Sequence, residues 1–252
     1  MKLSCVNVNN FINFKASISD NDIDGFKDAK QYYSDCYLMT TLEALSHTKN
    51  GRKLLKNQIE YDDANSNIIN CYLYNPKGVR EKYSVPTDEA VKGYKKLYTK
   101  QPNEIIRSMD ISVGEYEKKY KAKPWVCRVT DNFKTYQFEN NLPSHFMEIF
   151  TGKKPNVVGE MDFNLDLSNY KDKVMPLLER MDKEKNYSFV ISTGAKMLNG
   201  HSWHVYMIEN VDIENGTITV KEKRGNKPQT MSIDTALRTF KFMVGYFDSD
   251  LD

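Results

Sequence analysis

The chain has 252 residues, 40% of them hydrophobic and 28% charged, enough to bury one large core or the cores of two small lobes. Its 36 Lys and Arg against 34 Asp and Glu leave a formal charge of +2, which argues against nucleic acid or an anionic membrane surface as a partner. Cys5, Cys36, Cys71 and Cys127 are scattered, with no C-x-x-C pair and no Cys/His spacing suited to zinc. They read as free thiols. No run of about 18 apolar residues exists, and Asn7-Val8-Asn9-Asn10 interrupts any secretory apolar segment. A cytoplasmic or otherwise reducing compartment is therefore expected.

Residues 1–30 are polar and irregular and read as an N-terminal arm. Leu38, Leu42 and Leu45 then recur at i, i+4 and i+7, which predicts a helix opened by Cys36, capped by Ser34 or Asp35 and stopped by Asn50-Gly51. Residues 67–74 and 79–85 flank Asn75-Pro76-Lys77-Gly78 as a hairpin. Thr87 can cap a helix running to Leu97. Further helices are expected near Ile105–Met109 and over Ser112–Lys121, whereas Phe133–Phe138 fits strand or loop.

Ser144 can cap a short helix ended by Gly152, a natural place for a lobe boundary. Leu167–Lys185 has helical period, with Val174, Leu177, Leu178 and Met181 on one stripe despite Pro176. Strands follow over 187–192, 203–211 and 217–223, the last two joined at Glu214-Asn215-Gly216. A helix over 232–240 and a strand over 242–247 close the chain. Helices early and strands late define an α+β protein.

A cysteine in the first turn of a helix meets free N–H groups and the positive dipole end, which favour the thiolate. Cys36 is thus a candidate nucleophile, though a small buried residue beginning a core helix has the same sequence. A nucleophilic thiolate needs a histidine base and a group to orient it. Four histidines are available. His47 lies about 16 Å along the helix from Cys36, too far to serve, and His145 sits in a helix first turn as a structural residue. His201 and His204, in Gly200-His201-Ser202-Trp203-His204-Val205, enter a strand from a glycine-containing loop, where a ring is held yet reachable. They should face opposite ways along that strand. Asn226, after the next strand, can orient an imidazole without adding charge.

These residues resemble the calpain family of papain-like cysteine proteases. Asp35-Cys36-Tyr37-Leu38 is similar to that family's Asp-Cys-aromatic-Leu nucleophile motif. Gly200 to Val205 is similar to its Gly-His-Ala-Tyr-Ser-Val motif, with His201 at the histidine position and Trp203 at the aromatic one. Asn141-Leu142-Pro143-Ser144-His145-Phe146-Met147-Glu148-Ile149-Phe150-Thr151-Gly152 is similar to its Ala-Met-Glu-Asp-Phe-Thr-Gly-Gly segment, and the likeness spans roughly Gln31 to Phe247. Two positions depart from the pattern. Lys30 stands where the family's oxyanion glutamine falls, with Gln31 one residue later, and Asn226-Lys227-Pro228-Gln229 replaces Asn-Pro-Trp-Gly.

The resemblance implies a papain-like two-lobe fold, with a helical lobe over 31–152 and a β-rich lobe over 153–252. It implies a cysteine endopeptidase in which Cys36 is the nucleophile, His201 the base, Asn226 the orienting group and Gln31 the oxyanion donor. His204 is the alternative base, and Asn210 or Asn215 are weaker substitutes for Asn226. No cofactor is required by the sequence; calcium enters through the resemblance alone, with no EF-hand pattern. The expected partner is a protein or peptide substrate, with neither nucleic acid nor membrane. Two other functions fit the same residues: a catalytically silent papain-like fold that binds a partner, and a Cys-His isopeptidase or acyltransferase.

Overall fold

The computed structural model describes residues 16–28, 36–62, 65, 67–87, 104–120, 143–159, 167–193, 204–223 and 227–252. They form an α+β protein with two antiparallel sheets. The smaller sheet has the order β1 (Ala16–Ser17), β2 (Ile59–Tyr61), β3 (Ile68–Tyr74), β4 (Arg80–Pro86). The larger contains β5 (Asn156–Gly159), β6 (Tyr187–Thr193), β7 (Val205–Asp212), β8 (Thr217–Lys221), β9 (Pro228–Ser232) and β10 (Phe240–Phe247), in the order β5-β10-β6-β7-β8-β9. The α-helices are α1 (Asp20–Asp24), α2 (Cys36–Ser46), α3 (Lys49–Gln58), α4 (Glu104–Tyr120), α5 (Pro143–Thr151), α6 (Leu167–Glu184) and α7 (Ile233–Thr239).

Helix α2 is the centre of the fold. Its leucines point inward as their spacing predicts, but so does everything else: all ten residues from Tyr37 to Ser46 are buried. A helix enclosed on all sides must satisfy its polar side chains internally. Thr41 Oγ1 donates to the Tyr37 carbonyl at 2.6 Å and Ser46 Oγ to that of Glu43 at 2.7 Å. The helix packs on β6 and β7 on one side and on α3 and α5 on others. Asn50-Gly51, expected to stop it, instead lies in the first turn of α3. Thr48 provides that helix's cap, its Oγ1 accepting from the Gly51 N–H at 3.1 Å. Glycine is required there because a Cβ would stand 2.2 Å from the Leu45 carbonyl oxygen.

The β3–β4 hairpin forms as expected. Asn75 Oδ1 accepts from the Lys77 and Val79 N–H groups at 2.9 and 3.0 Å, and Gly78 takes the left-handed φ of +74° that the turn needs. Where two helices were anticipated, α4 runs unbroken from Glu104 to Tyr120, with Ser112 Oγ folded back onto the Ser108 carbonyl at 2.8 Å. Glu81 ties the hairpin to α4. It accepts from Lys119 Nζ at 2.8 Å, Tyr120 Oη at 2.5 Å, Asn75 Nδ2 at 2.9 Å and Tyr83 Oη at 3.1 Å.

These donors, the Lys119 ammonium first, pull the Glu81 carboxyl from 4.5 down to about 2. Because the folded state holds this proton less tightly than the unfolded state, the stabilisation is complete above about pH 4.5 and is lost as pH falls towards 2. Glu81→Gln should therefore be less stable than wild type at pH 6, and the gap should close on acidification. Urea midpoints at pH 6 and pH 3 measure it; a gap that stays constant would contradict the assignment.

The large sheet has two working faces. Val190, Val205, Met207, Val244 and Tyr246 share the core around α2. Alternate residues, Phe189, Ile191, Tyr206, Ile208, Met243 and Phe247, pack beneath α6 and α7 in a second core. Helix α6 accommodates Pro176 and buries Val174, Leu178 and Met181. Residues 16–28 depart from the irregular arm expected of them. They form β1, α1 and a 3-10 turn, and Ile18, Ile23 and Phe26 are buried in the first core. Expectations for residues 88–97 and 133–138 lie outside the described residues. Among the described residues, no helix is long and apolar enough to cross a membrane.

Candidate active site

Cys36 is the first residue of α2, half-buried against the first core, with its thiol in the turn whose N–H groups lack intrahelical partners. One turn on, Thr40 Oγ1 lies 3.5 Å from the carbonyl oxygen of Val205, the first residue of β7. Residue 204 is held to the end of β6: the Thr193 N–H donates to the His204 carbonyl at 3.0 Å, and the His204 N–H to Thr193 Oγ1 at 2.9 Å. The first turns of α2, the end of β6 and the start of β7 thus meet.

The end of β8 joins them. Met207 pairs with Lys221 across the antiparallel ladder, so the residues after Lys221 return towards the start of β7. Lys221 Nζ lies 2.8 Å from Glu43 Oε1, and Lys223 Nζ lies 2.7 Å from Glu43 Oε2. Lys223 also donates to the carbonyls of Phe26 and Lys27 at 2.7 and 3.2 Å. Glu43 and Lys223 are each only 1% exposed, so this is a buried ion cluster that clips β8 and the 25–27 turn to α2. Desolvation holds the Lys223 ammonium below its usual range, against the pull of Glu43. Sequence reasoning missed the cluster. Its one signal was a glutamate inside an otherwise apolar and hydroxylated helix.

Gln31, His201 and Asn226 lie outside the described residues. The alternative base, His204, is 4% exposed, with Nε2 3.3 Å from Glu222 Oε2 and its ring edge-on to Tyr206 at 5.1 Å. Tyr206 belongs to the core beneath α6, so the His204 ring occupies the sheet face opposite α2 and Cys36. Asn210 pairs with Thr219, about 20 Å along β7 from residue 204, and Asn215 is bonded to Asp212 in the turn beyond.

His47 is exposed, one residue past the end of α2 and so at the opposite end of that helix from Cys36. His145 Nε2 lies 2.8 Å from Glu117 Oε1, a paired residue of α5. Cys71 is fully enclosed, and burial pushes its thiol up to about 12. Of the two described cysteines, Cys36 is therefore the one placed to ionise. Among the described residues, no three His, Cys, Asp or Glu side chains gather closely enough to hold a metal ion. The chain matches no known protein family and no curated protein.

Proposed function

We propose that the chain is a papain-like, calpain-like cysteine endopeptidase. The supporting observation is the contact between the first turns of α2, which Cys36 opens, and the start of β7, four residues after His201. The end of β8 makes a second contact, Lys221 and Lys223 both reaching Glu43. Both strand ends lie against α2. The elements over 31–152 and 153–252 act as the two lobes, with the substrate lying over the N-terminal end of α2.

In this reading the Cys36 thiolate attacks the scissile carbonyl carbon, and the oxyanion is met by the Cys36 backbone N–H and the Gln31 side chain. The C–N bond breaks as the His201 imidazolium passes its proton to the leaving amine. A thioester remains. Water, deprotonated by His201, then displaces the thiol and releases the carboxylic acid. Asn226 holds the His201 ring in the required tautomer.

The test is thiol labelling of the folded protein. With limiting iodoacetamide at pH 7, Cys36 should be alkylated well before Cys5, Cys71 and Cys127, as read by peptide mass mapping. Cys71 in particular should stay unmodified until denaturant is added. Equal labelling of Cys36 and the other cysteines would sink the activated-thiolate assignment.

A further inference from the structure

Away from Cys36, a cleft of about 340 Å³ opens between the β3–β4 turn, α4 and α5. That is within the size range of ligand sites, about 300–1,000 Å³. Tyr74, Pro76, Tyr116 and Ile149 supply apolar walls, and His145 and Glu148 supply polar groups. The walls are fixed. Gly152, at φ +70°, lies so flat under the Tyr74 ring that a Cβ there would be 2.9 Å from three ring carbons, and the Asn75 side chain is spent on its own turn and on Glu81.

The charge of the cleft has one sign. Glu117, 1% exposed, stands behind His145, its Oε1 2.8 Å from the ring Nε2. Glu148 is exposed and adds a carboxylate that no cation pairs with among the described residues. Two neighbouring ammonium groups are occupied elsewhere, Lys119 on Glu81 at 2.8 Å and Lys153 on the carbonyls of Asp250 and Asp252 at 3.0 and 2.7 Å, while Lys77, in the turn between Pro76 and Gly78, does not line the cleft. The Tyr116 phenol feels this field. Burial foremost, with the charges of Glu117, Glu81 and Glu148 adding to it, pushes it up to about 12.

We infer that this cleft binds a basic side chain, arginine or lysine, presented by a polypeptide. The apolar walls cover the methylene stem, the Tyr74 face receives the cation, and the Glu148 carboxylate pairs with it. A cleft this small and open on one side suits a single side chain and its flanking backbone. The inference is independent of any peptidase activity, because it concerns binding at a separate place.

Isothermal titration of the whole protein with N-acetyl-Gly-Arg-Gly-amide tests it, against the same peptide carrying neutral citrulline. The arginine peptide should bind about tenfold more tightly, and Glu148→Gln should erase that preference. Tyr74→Leu should weaken arginine binding severalfold while keeping the preference. Citrulline and arginine peptides binding within about twofold on the wild-type protein, a comparison that needs no variant, would overturn the inference. So would an undiminished preference in Glu148→Gln. Spermine binding without any arginine-peptide binding would overturn the polypeptide as the source of the cation.

Discussion

Glu43→Ala should cost about 3–5 kcal/mol of unfolding free energy. Removing the carboxylate leaves Lys223, 1% exposed, as an uncompensated ammonium against two carbonyl oxygens, with Lys221 13% exposed beside it. An ion that loses its main counter-charge in a dry site costs far more than the pair was worth intact. The double variant Glu43→Leu with Lys223→Met removes the stranded charge together with its cause. It should recover at least half of the loss, so the two substitutions are strongly non-additive.

The pH dependence carries the same signature. In the folded wild type the Lys223 ammonium is held below its usual range, so between that value and the unfolded one the unfolded chain binds more protons, and stability rises with pH. In Glu43→Ala the opposing pull of the carboxylate is gone, and the rise should begin at lower pH. Urea denaturation of the single and double variants from pH 7 to pH 10 measures both effects. A Glu43→Ala loss below about 1 kcal/mol would show that the cluster is solvated in solution.

Much of this architecture can be read from residue spacing. The leucines of α2, the turn at Asn75-Pro76-Lys77-Gly78, the α6 stripe and the alternation in β6 and β7 each carry their own periodicity, and each element forms where that pattern lies. Elements that depend on partners do not announce themselves. Pro228-Gln229-Thr230-Met231-Ser232 and Asn156-Val157-Val158-Gly159 become edge strands only because β8 and β10 offer them hydrogen bonds. Ile18, Ile23 and Phe26 are too few to mark a pattern, yet all three insert into the core. Likewise Asn50-Gly51 has the composition of a stop, but the close crossing of α2 and α3 uses its glycine for contact. At the site, alternation along a strand predicts opposite faces for His201 and His204, of which only His204 is among the described residues. Only the sheet's two cores reveal that His204 belongs to the α6 side.

That division of faces frames the second large effect, on catalysis. Cys36→Ala should reduce kcat/KM for a fluorescently labelled, denatured protein substrate by at least about 10⁴-fold, since the thioester route disappears with the sulfur. His201→Ala should fall comparably, and should also slow iodoacetamide alkylation of Cys36 at pH 7 while leaving it fast near pH 9. Without an imidazolium partner, the thiol must reach its own ionisation range before it reacts. His204→Asn should behave differently. Its ring is packed against Tyr206 and Glu222 beneath α6, so the substitution should lower the urea midpoint while the pH profile of Cys36 alkylation stays that of wild type. A His204 variant with a shifted alkylation profile, beside a His201 variant with an unchanged one, would exchange their roles. Absence of turnover in wild type and Cys36→Ala alike, with partner binding unchanged between them, would instead assign the chain to a catalytically silent papain-like fold.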